Sequence, residues 1–495
     1  MIRLRSLVTL AILLAYSFGT AQKQSAQQPT DGSPAKESSC QTLQQHTCCK
    51  DGKDGKDGRN GKDGRDGLHG KDGRDGRDGT NGAKGEKGES GIQGRDEKGE
   101  KGSPGDKGEQ GPKGDPGICD TQGKFASSTT ASCKTEYDAG FHFFEKVEDL
   151  PTRGASGVEH FFINGTLFLA FANYYGDIRK YKTSSTIYRM DESTGRLTSY
   201  QTLQTSGALN TEYFTISNEH FLAVANHYAD GTRLRDSTIY KWNGKLFVVV
   251  QKIPTKGASH FTFFTINDNK YIAVTNYYDG STYSIKSVIY KWSGSQFNKF
   301  QEIATEGARG CEVFIIKNNT FIAFANYYNS QRKNSVQSTV FKWSGGHFVK
   351  LQSLQTYGAW DVKSFQINGH TFLAFANYKS GRKFNTDPFI FKWNGNKFDL
   401  FQSIPTRGAR ALHPFVISGQ TFLGVANYYG DSQKLNTKSV VYQASGSRFV
   451  IYQEIPTQGA SDITSFEYKG DTYLAVSSYY NGQKYNTNSA LYKWM

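Results

Sequence analysis

The sequence predicts an all-β fold, a seven-bladed β-propeller, preceded by a collagen-like (Gly-X-Y) triple helix and a disordered N-terminal spacer. Two observations support this prediction. Glycine recurs at every third position over most of residues 52–117, which is the spacing that a triple helix requires. Farther along the chain a Gly-Ala pair recurs seven times, about 50 residues apart, at 154, 207, 257, 307, 358, 408 and 459, and this period is typical of propeller blades.

Residues 1–21 have the pattern of a signal peptide. Arg3 and Arg5 precede an apolar run over 7–16, and small residues follow at 19–21. The run is shorter than the roughly 20 apolar residues that a membrane anchor needs, so we expect a secreted protein without membrane insertion. Residues 22–50, rich in Gln, Ser, Ala and Pro, predict a disordered spacer that contains cysteines.

Residues 51–117 predict the triple helix, and therefore a homotrimer, because only glycine fits at the axis of three wound chains. Four residues instead of two separate Gly94 from Gly99, so we expect a local break in register there. Prolines are few, and Lys-Gly-Glu and Lys-Gly-Asp steps predict salt-sensitive support from charge pairs. Pro104 and Pro116 occupy the third triplet position and are candidates for hydroxylation.

Five cysteines flank the predicted triple helix: Cys40, Cys48, Cys49, Cys119 and Cys133. In an oxidising compartment they are candidates for interchain or structural disulfides that lock the three chains in register. An intrachain bridge between Cys119 and Cys133, within the connector at 118–143, is an equal alternative. Cys311 lies inside a repeat and is expected to be a buried free thiol.

Residues 144–495 contain four short strands per repeat, rich in Val, Ile, Phe and Tyr. The last repeat stops after its third strand, while an unpartnered strand at 144–150 precedes the first Gly-Ala pair. We therefore expect 144–150 to pair with 490–494, which closes the ring and removes the exposed sheet edges.

Turn residues predict which face of the propeller can bind. Asn164-Gly165 between strands one and two, and Asn243-Gly244 or Asn394-Gly395 between strands three and four, indicate two-residue hairpins. The longer links, from strand two to three and from strand four to the next blade, then emerge together on the opposite side, the long-loop face. The side with the short hairpins is called the tight-turn face.

Three sequence blocks that recur in order resemble a known family. The blocks PTKGA at 254–258, VIYKW at 288–292 and FIAFANYY at 321–328 are similar to the EAR repeat, also called EPTP, over about residues 144–495. The resemblance implies a secreted seven-bladed propeller that binds extracellular protein or cell-surface partners. It also implies a candidate cation site in the central channel at Asp361 and Asp462. Two carboxylates are few ligands for a hard cation, and capping of strand ends is the alternative.

The formal net charge is +14, and it falls mostly in the repeats because acidic and basic residues balance in the Gly-X-Y segment. Many of the basic residues fall in the links that emerge on the long-loop face. A positively charged face would attract an acidic glycan or acidic protein, although solvated loops are the plain alternative. We expect no nucleic-acid partner in a secreted protein. The candidate ligand-binding residues on the long-loop face are Arg153, Arg179, Lys180, Arg233, Arg235, Lys256, Arg332, Lys333, Arg382, Lys383, Arg407 and Arg410.

Asn-Tyr-Tyr segments end most second strands, as at 173–175 and 326–328. A residue type repeated in each blade favours an architectural role, with at most the outer tyrosine open to a ligand. Asn164 and Asn318 match the N-glycosylation pattern on the tight-turn face. The histidines are expected to be scattered, and no nucleophile, phosphate loop or metal spacing indicates an enzyme or a cofactor.

Two functions remain open from the sequence. The first is a secreted, multivalent adhesion protein of the extracellular matrix, whose weak single contacts are strengthened by trimerisation. The second is a soluble defence-collagen-like molecule that binds microbial or cell-surface glycans. The calcium-binding lectin site that collectin heads use is absent from the sequence pattern, so the first is favoured.

Overall fold

The computed structural model describes residues 142–176, 180–384, 386–429 and 435–495. The predicted signal peptide, spacer and triple helix lie outside the described residues, as do the five flanking cysteines, Pro104, Pro116 and Arg179.

The described chain folds into seven four-stranded antiparallel sheets, which confirms the predicted fold class. In the first six sheets the strands run in chain order from the innermost to the outermost. The first three sheets contain β2 (Ala155–Ile163), β3 (Thr166–Asn173), β4 (Ser184–Asp191) and β5 (Arg196–Gln204); β6 (Ala208–Ile216), β7 (Glu219–Asn226), β8 (Leu234–Trp242) and β9 (Phe247–Lys256); β10 (Ala258–Ile266), β11 (Asn269–Asn276), β12 (Ser284–Trp292) and β13 (Phe297–Glu306).

The next three sheets repeat this order, and the seventh takes its outermost strand from the start of the domain. They contain β14 (Ala308–Ile316), β15 (Asn319–Asn326), β16 (Ser335–Ser344) and β17 (His347–Tyr357); β18 (Ala359–Ile367), β19 (His370–Asn377), β20 (Phe389–Trp393) and β21 (Phe398–Ser403); β22 (Ala409–Ile417), β23 (Gln420–Asn427), β24 (Asn436–Ser445) and β25 (Arg448–Gln458); β26 (Ala460–Tyr468), β27 (Asp471–Ser478), β28 (Asn488–Trp494) and β1 (Phe144–Pro151).

The innermost strands form a closed ring around a central channel. Each innermost strand contacts that of the next blade, and β26 contacts β2 to complete the circle. The second strands are buried along most of their length, as in β3, because each blade packs between two others. Aromatic stacking fills the space between blades, for example Phe161 on Tyr213 at 4.4 Å and Phe214 on Phe263 at 4.5 Å between ring centroids.

The ring closes as the sequence predicts. β1 pairs antiparallel with β28, with Phe144 opposite Trp494 and Pro151 opposite Asn488. β1 therefore begins on the tight-turn face and ends on the long-loop face. The two ends of the domain complete one sheet, so its stability depends on both.

A glutamine on each of six outermost strands ties that blade to the next. The Gln301 side chain accepts the Phe348 backbone N–H at 2.9 Å and donates to the Phe348 carbonyl at 2.8 Å. A β-bulge lies directly before this position in the strand and turns the side chain toward the neighbouring blade. We call these contacts the glutamine latches; the other five are made by Gln201, Gln251, Gln352, Gln402 and Gln453.

The seventh junction, where the chain ends meet, carries a glutamate in place of the glutamine. The Glu148 carboxylate accepts the Leu197 N–H at 3.3 Å, but a carboxylate cannot donate to the Leu197 carbonyl. The carboxylate also lies 3.7 Å from the Nε atom of the exposed Arg196. The closing junction therefore has half of the latch.

The turn predictions are correct between strands one and two and partly wrong between strands three and four. Asn164 and Gly165 both have positive φ, at 50° and 80°, as a two-residue hairpin requires. The Asn243 turn instead has four residues, because the Asn243 side chain accepts the N–H groups of Lys245 and Leu246. The corresponding turns at 293–296 and 394–397 also have four residues.

The Gly-Ala pairs recur because the glycine sits where a side chain cannot. Gly459 has φ of 53°, and a Cβ there would lie 2.3 Å from the Tyr480 carbonyl oxygen. Its N–H donates to the Leu435 carbonyl across the long-loop face at 2.8 Å. The repeat marker is thus a point where the loops of two neighbouring blades meet.

The long-loop face and the central channel as a candidate site

Asparagines at the ends of the second strands hold the loops of the long-loop face. Asn173 donates to the Ser184 carbonyl at 2.8 Å and accepts the Arg153 N–H at 3.2 Å. The same pair of contacts recurs at Asn226, Asn276, Asn326, Asn377 and Asn427. This confirms the architectural role predicted for the asparagine, and it fixes the residues that follow it.

The residue after each asparagine, or after Ser478 in the seventh blade, belongs to a closed ring of seven aromatic side chains. Neighbouring ring centroids lie 5.4 to 6.1 Å apart around the full circle. We call this the inner aromatic ring; its members are Tyr174, His227, Tyr277, Tyr327, Tyr378, Tyr428 and Tyr479. The second tyrosine of each pair lies farther out and is partly exposed.

Inside the inner aromatic ring lies the channel mouth, formed by the second residue of each innermost strand. Its members are Ser156, Leu209, Ser259, Arg309, Trp360, Arg410 and Ser461. Arg309 stacks between Tyr277, at 3.6 Å from the ring centroid, and Trp360, at 4.3 Å. Arg410 stacks between Tyr428, at 3.4 Å, and the same Trp360, at 4.5 Å. Two arginines and three aromatic rings thus alternate across the mouth.

The mouth and the channel below it form one polar cavity of about 330 Å³. Five carboxyl groups line its deeper part, from Glu159, Glu212, Glu312, Asp361 and Asp462. Each innermost strand is the edge of its sheet, and carboxylates from one blade cap N–H groups of another. Asp462 accepts the Val158 N–H at 2.9 Å, and Asp361 accepts the Leu412 N–H at 3.1 Å. Glu212 does the same for Phe263, at 2.8 Å. These N–H groups lie inside the neighbouring strands, so the carboxylates cap the exposed strand edges and not the strand ends that were the alternative from the sequence.

Lys363 supplies the cation among these carboxyl groups. Its ammonium lies 3.7 Å from Asp361. Burial lowers the pKa of Lys363, but the carboxylates of Asp361, Glu312, Asp462 and Glu212 outweigh burial and raise it above its ordinary value. One lysine therefore interacts with acidic groups on its own strand and on three other innermost strands.

The carboxyl groups of the channel hold their protons more tightly than usual. Burial raises the pKa of Asp462 and of Glu212 to about 7. The pKa of Glu159 is also raised, mainly by burial and in addition by repulsion from Glu212 and Asp462. The channel therefore takes up protons near neutral pH.

The residues at the predicted cation site do not fit a metal ion. Within the described ranges, no three His, Cys, Asp or Glu side chains come together to hold one. The Asp361 and Asp462 carboxylates accept backbone N–H groups, and Asp361 also faces Lys363. A hard cation requires six or more oxygen ligands, and these two residues offer few that are not already engaged.

The histidines are less scattered than the sequence suggests. His160, His260 and His413 line the channel, and His227 occupies a tyrosine position of the inner aromatic ring. Burial lowers the pKa of His160 to about 4 and that of His413 to about 3, so these side chains are neutral. The innermost strands of all blades face one channel, so histidines from three separate blades line it although they are far apart in the chain.

Cys311 is a buried free thiol, as expected. Its sulfur lies 3.2 Å from the Thr262 hydroxyl, and burial raises its pKa to about 12. It is therefore an unreactive part of the packing between blades.

The predicted basic residues divide into exposed and internally engaged groups. Arg233 packs over Tyr228 and Tyr278, at 5.0 and 5.3 Å from the ring centroids, and Arg235 pairs with Asp230 at 2.7 Å. Arg410 is buried in the channel mouth. The exposed members are Arg153, Lys180, Lys256, Arg332, Lys333, Arg382, Lys383 and Arg407.

Asn164 and Asn318 lie exposed in the turns between β2 and β3 and between β14 and β15. Both turns are on the tight-turn face. Across the part of the chain that the structure describes, no helix is long and apolar enough to cross a membrane.

Sequence reasoning missed Trp360 and Lys363. Both interrupt the repeat, because the matching positions in other blades carry mostly small or acidic residues, as at Ser259 and Glu212. A deviation from an otherwise regular repeat was the available indication. Aligning the seven innermost strands position by position would have found both residues.

Seven four-stranded blades in a closed ring around a channel define a repeat-built β-propeller. The EPTP domain model matches seven segments, at 144–191, 196–243, 246–293, 296–344, 347–394, 397–443 and 448–495. The chain belongs to the EPTP domain family, as the resemblance in its sequence implies. A collagen triple helix repeat model matches residues 48–128. Both families describe structural or binding domains, and together they are typical of extracellular-matrix-type proteins.

Two curated proteins are similar to part of the chain. The human thrombospondin-type laminin G domain and EAR repeat-containing protein is 40% identical over 100 residues, which span 20% of this chain and 15% of that protein. Its mouse counterpart is 35% identical over 112 residues, 22% of this chain and 17% of that protein. The match thus spans less than a fifth of either relative.

Among solved structures, a proposed 6-phosphogluconolactonase from Bacteroides uniformis ATCC 8492 aligns with a TM-score of 0.45 at 13% identity. The alignment covers 62% of this chain and 86% of that chain. A similarity at this level carries no argument about function.

Proposed function

We propose that the protein is a secreted, multivalent binding protein of the extracellular matrix, whose long-loop face binds an acidic extracellular protein or acidic glycan. Collagen triple helix repeats are compatible with trimer formation, and a trimer presents three such faces. Three weak contacts joined in one molecule bind far more tightly than one contact alone.

The observation that carries the proposal is a set of exposed basic side chains on the long-loop face. Within the described residues, they form no ion pair with a carboxylate. We call them the basic rim: Arg153, Lys180, Arg332, Lys333, Arg382 and Lys383. Unpaired positive charge around one face attracts and orients a polyanion.

The glycan acceptors support the same choice of face. Asn164 and Asn318 lie on the tight-turn face, so glycans there would leave the basic rim open. The glutamine latches and the asparagine contacts hold the rim loops on a rigid frame, which lowers the entropy cost of binding.

Binding of the full chain to an array of sulfated, carboxylated and neutral glycans, repeated over a salt series, tests the proposal. We expect binding to the acidic glycans that weakens steeply as salt rises. The double variant Lys333→Gln/Lys383→Gln should bind more weakly than the wild type. The matched control, Lys245→Gln/Arg448→Gln, removes two exposed charges from the tight-turn face and should bind like the wild type.

Two results would contradict the proposal. One is equal loss of binding in both double variants, which would indicate a general effect of net charge. The other is binding that is indifferent to salt and to both variants, which would place the binding surface elsewhere. Size measurement of the full chain tests the trimer separately.

A further inference from the structure

We propose that the channel mouth is a receptor for a single sulfate group of a sulfated glycan. This inference deepens the proposed function and rests on its choice of the long-loop face. It assigns the centre of that face to Arg309, Arg410 and Ser259, whereas the basic rim surrounds it.

The charge at the mouth has one sign. Of its seven residues, Arg309 and Arg410 are charged, and none is acidic. Within the described part of the chain, neither arginine forms an ion pair with a carboxylate. The phenols beside them are neutral, because burial raises the pKa of Tyr378 to about 12. The deeper carboxylates are engaged by backbone N–H groups and Lys363, so the two positive charges at the mouth have no carboxylate partner among the described residues.

The stacking leaves the donor edges of the guanidinium groups available. Aromatic rings cover the faces of both groups. The N–H donors of a guanidinium point outward in its own plane. One side-chain hydrogen bond joins each guanidinium to a phenol, Arg309 to Tyr277 and Arg410 to Tyr378, and the Nε donor of each arginine stays without a partner in the described part of the chain. This is the geometry in which arginine binds a planar or tetrahedral oxyanion.

Several donors at the mouth are buried without an acceptor. The Nε atoms of Arg309 and Arg410 and the Ser259 hydroxyl have no hydrogen-bond partner among the described residues. Arg410 is 8% exposed; its Nη1 contact to the Ser461 hydroxyl is long at 3.4 Å, and its guanidinium also hydrogen-bonds the Tyr378 phenol. Buried donors without partners are costly, and a bound oxyanion would satisfy donors from three blades at once.

A sulfated glycan matches the face better than an acidic peptide does. Sulfate offers several acceptor oxygens to donors converging from different directions. The second tyrosines, outside the inner aromatic ring, are partly exposed, and sugar rings can stack on such aromatic surfaces. A chain with repeated sulfate groups can reach the basic rim while one sulfate enters the mouth.

Inorganic sulfate and the intrinsic fluorescence of Trp360 test the mouth independently of the glycan. We expect sulfate, with chloride at equal ionic strength as control, to change the tryptophan emission of the full chain with saturation. The Trp360→Phe variant should lose this change. If sulfate gives no saturable change that depends on Trp360, the proposal fails, even if no arginine variant folds.

A second experiment measures glycan binding by Arg309→Gln and Arg332→Gln, each of which removes one positive charge from the same face. A heparin octasaccharide should bind Arg309→Gln roughly tenfold or more weakly than the wild type. It should bind Arg332→Gln no more than roughly fivefold more weakly. A desulfated octasaccharide and a glutamate octapeptide should show no dependence on Arg309.

The outcomes separate the two proposals. Salt-sensitive heparin binding that is equal in Arg309→Gln and wild type keeps the proposed function and overturns the sulfate receptor. Dependence on Arg309 that extends to the glutamate peptide overturns the choice of sulfate. Absence of binding to any acidic glycan or peptide overturns the proposed function. The sulfate titration then still shows whether the channel mouth binds sulfate.

Discussion

The frame between the blades and the wall of the central channel are built in opposite ways. The frame uses the same residues again and again, with a glutamine latch at six of seven junctions and an asparagine in six of seven loops. The channel varies at matching positions: one position carries Glu159, Lys363 and His413 in different blades, and the other blades have Glu or Thr there. The repeated residues make the ring, and the residues that differ give this protein its particular site.

The largest effect is expected where a single residue of the channel serves many strands. Lys363→Met keeps most of the side-chain volume and leaves the channel carboxylates without their cation, so the free energy of unfolding should fall by about 3–5 kcal/mol at neutral pH. Denaturant unfolding of the full chain measures this. Lys363→Arg keeps the charge and should lose much less; an equal loss in both variants would show that shape matters rather than charge.

The second prediction concerns the pH dependence of the channel. The folded-state pKa of Asp462, about 7, lies above its ordinary value of 3.8, so the folded protein holds an extra proton between these values. The contribution of Asp462 to stability therefore decreases as pH rises through this range. Asp462→Asn still accepts the Val158 N–H but cannot ionise. Its stability relative to the wild type should increase by roughly 1.4 kcal/mol per pH unit from about pH 4 to 7.

Glu302, on an outermost strand of the frame, has a pKa shift of the opposite sign and should show the opposite pH dependence. Hydrogen bonds from Lys299 and Lys286 lower the pKa of Glu302 to about 2, so its contribution is present above its ordinary pKa and is lost as pH falls toward 2. Glu302→Gln should thus differ from wild type most above pH 4.5. A flat difference between Asp462→Asn and wild type over pH 4–7 would contradict the channel prediction.

A third, smaller effect is expected in the frame. Gln301→Ala leaves the Phe348 N–H and carbonyl without their side-chain partner, which should lower the free energy of unfolding by about 1–3 kcal/mol. Gln331→Ala, in an exposed loop, is the matched control and should be close to neutral. If both variants unfold alike, the latches do not contribute to stability.

The smallest expected effect is a gain in stability. Glu148→Gln completes the seventh latch by adding a donor toward the Leu197 carbonyl, and the exposed Arg196 contact that is lost is weak. We expect a gain of about 0.5–1.5 kcal/mol in the free energy of unfolding, seen as a higher midpoint in denaturant. A lower midpoint would mean that the carboxylate is needed at the closing junction.

The frame could be predicted from the sequence because it repeats. Seven Gly-Ala pairs gave the number of blades, and the unpartnered strand at 144–150 gave the closure, which pairs Phe144 with Trp494. The turn at Asn243 was wrong because its side chain caps the backbone and lengthens the loop. The closure follows from the count of strands in the repeats and the turn depends on neighbouring residues, so neither requires knowledge of contacts between distant blades.

The channel could not be predicted in the same way, because its contacts join residues of different blades at positions that do not follow the repeat. Asp462 meets Val158 over 304 positions, and Lys363 faces carboxylates from several blades at once. The fold had to be known before these residues could be placed together. The basic residues were found from composition, yet the engagement of Arg233 and Arg410 by aromatic rings was not.

The closing strand also determines how the propeller responds to pulling. β1 begins on the tight-turn face, and the basic rim lies on the other face, so tension between the N-terminal end of β1 and a ligand on the rim runs along the strand axis. The hydrogen bonds from β1 to β28 then bear the load together in shear, instead of opening one by one. A protein held at one end and loaded at the other would keep its ring closed under forces that would peel apart a strand pulled sideways.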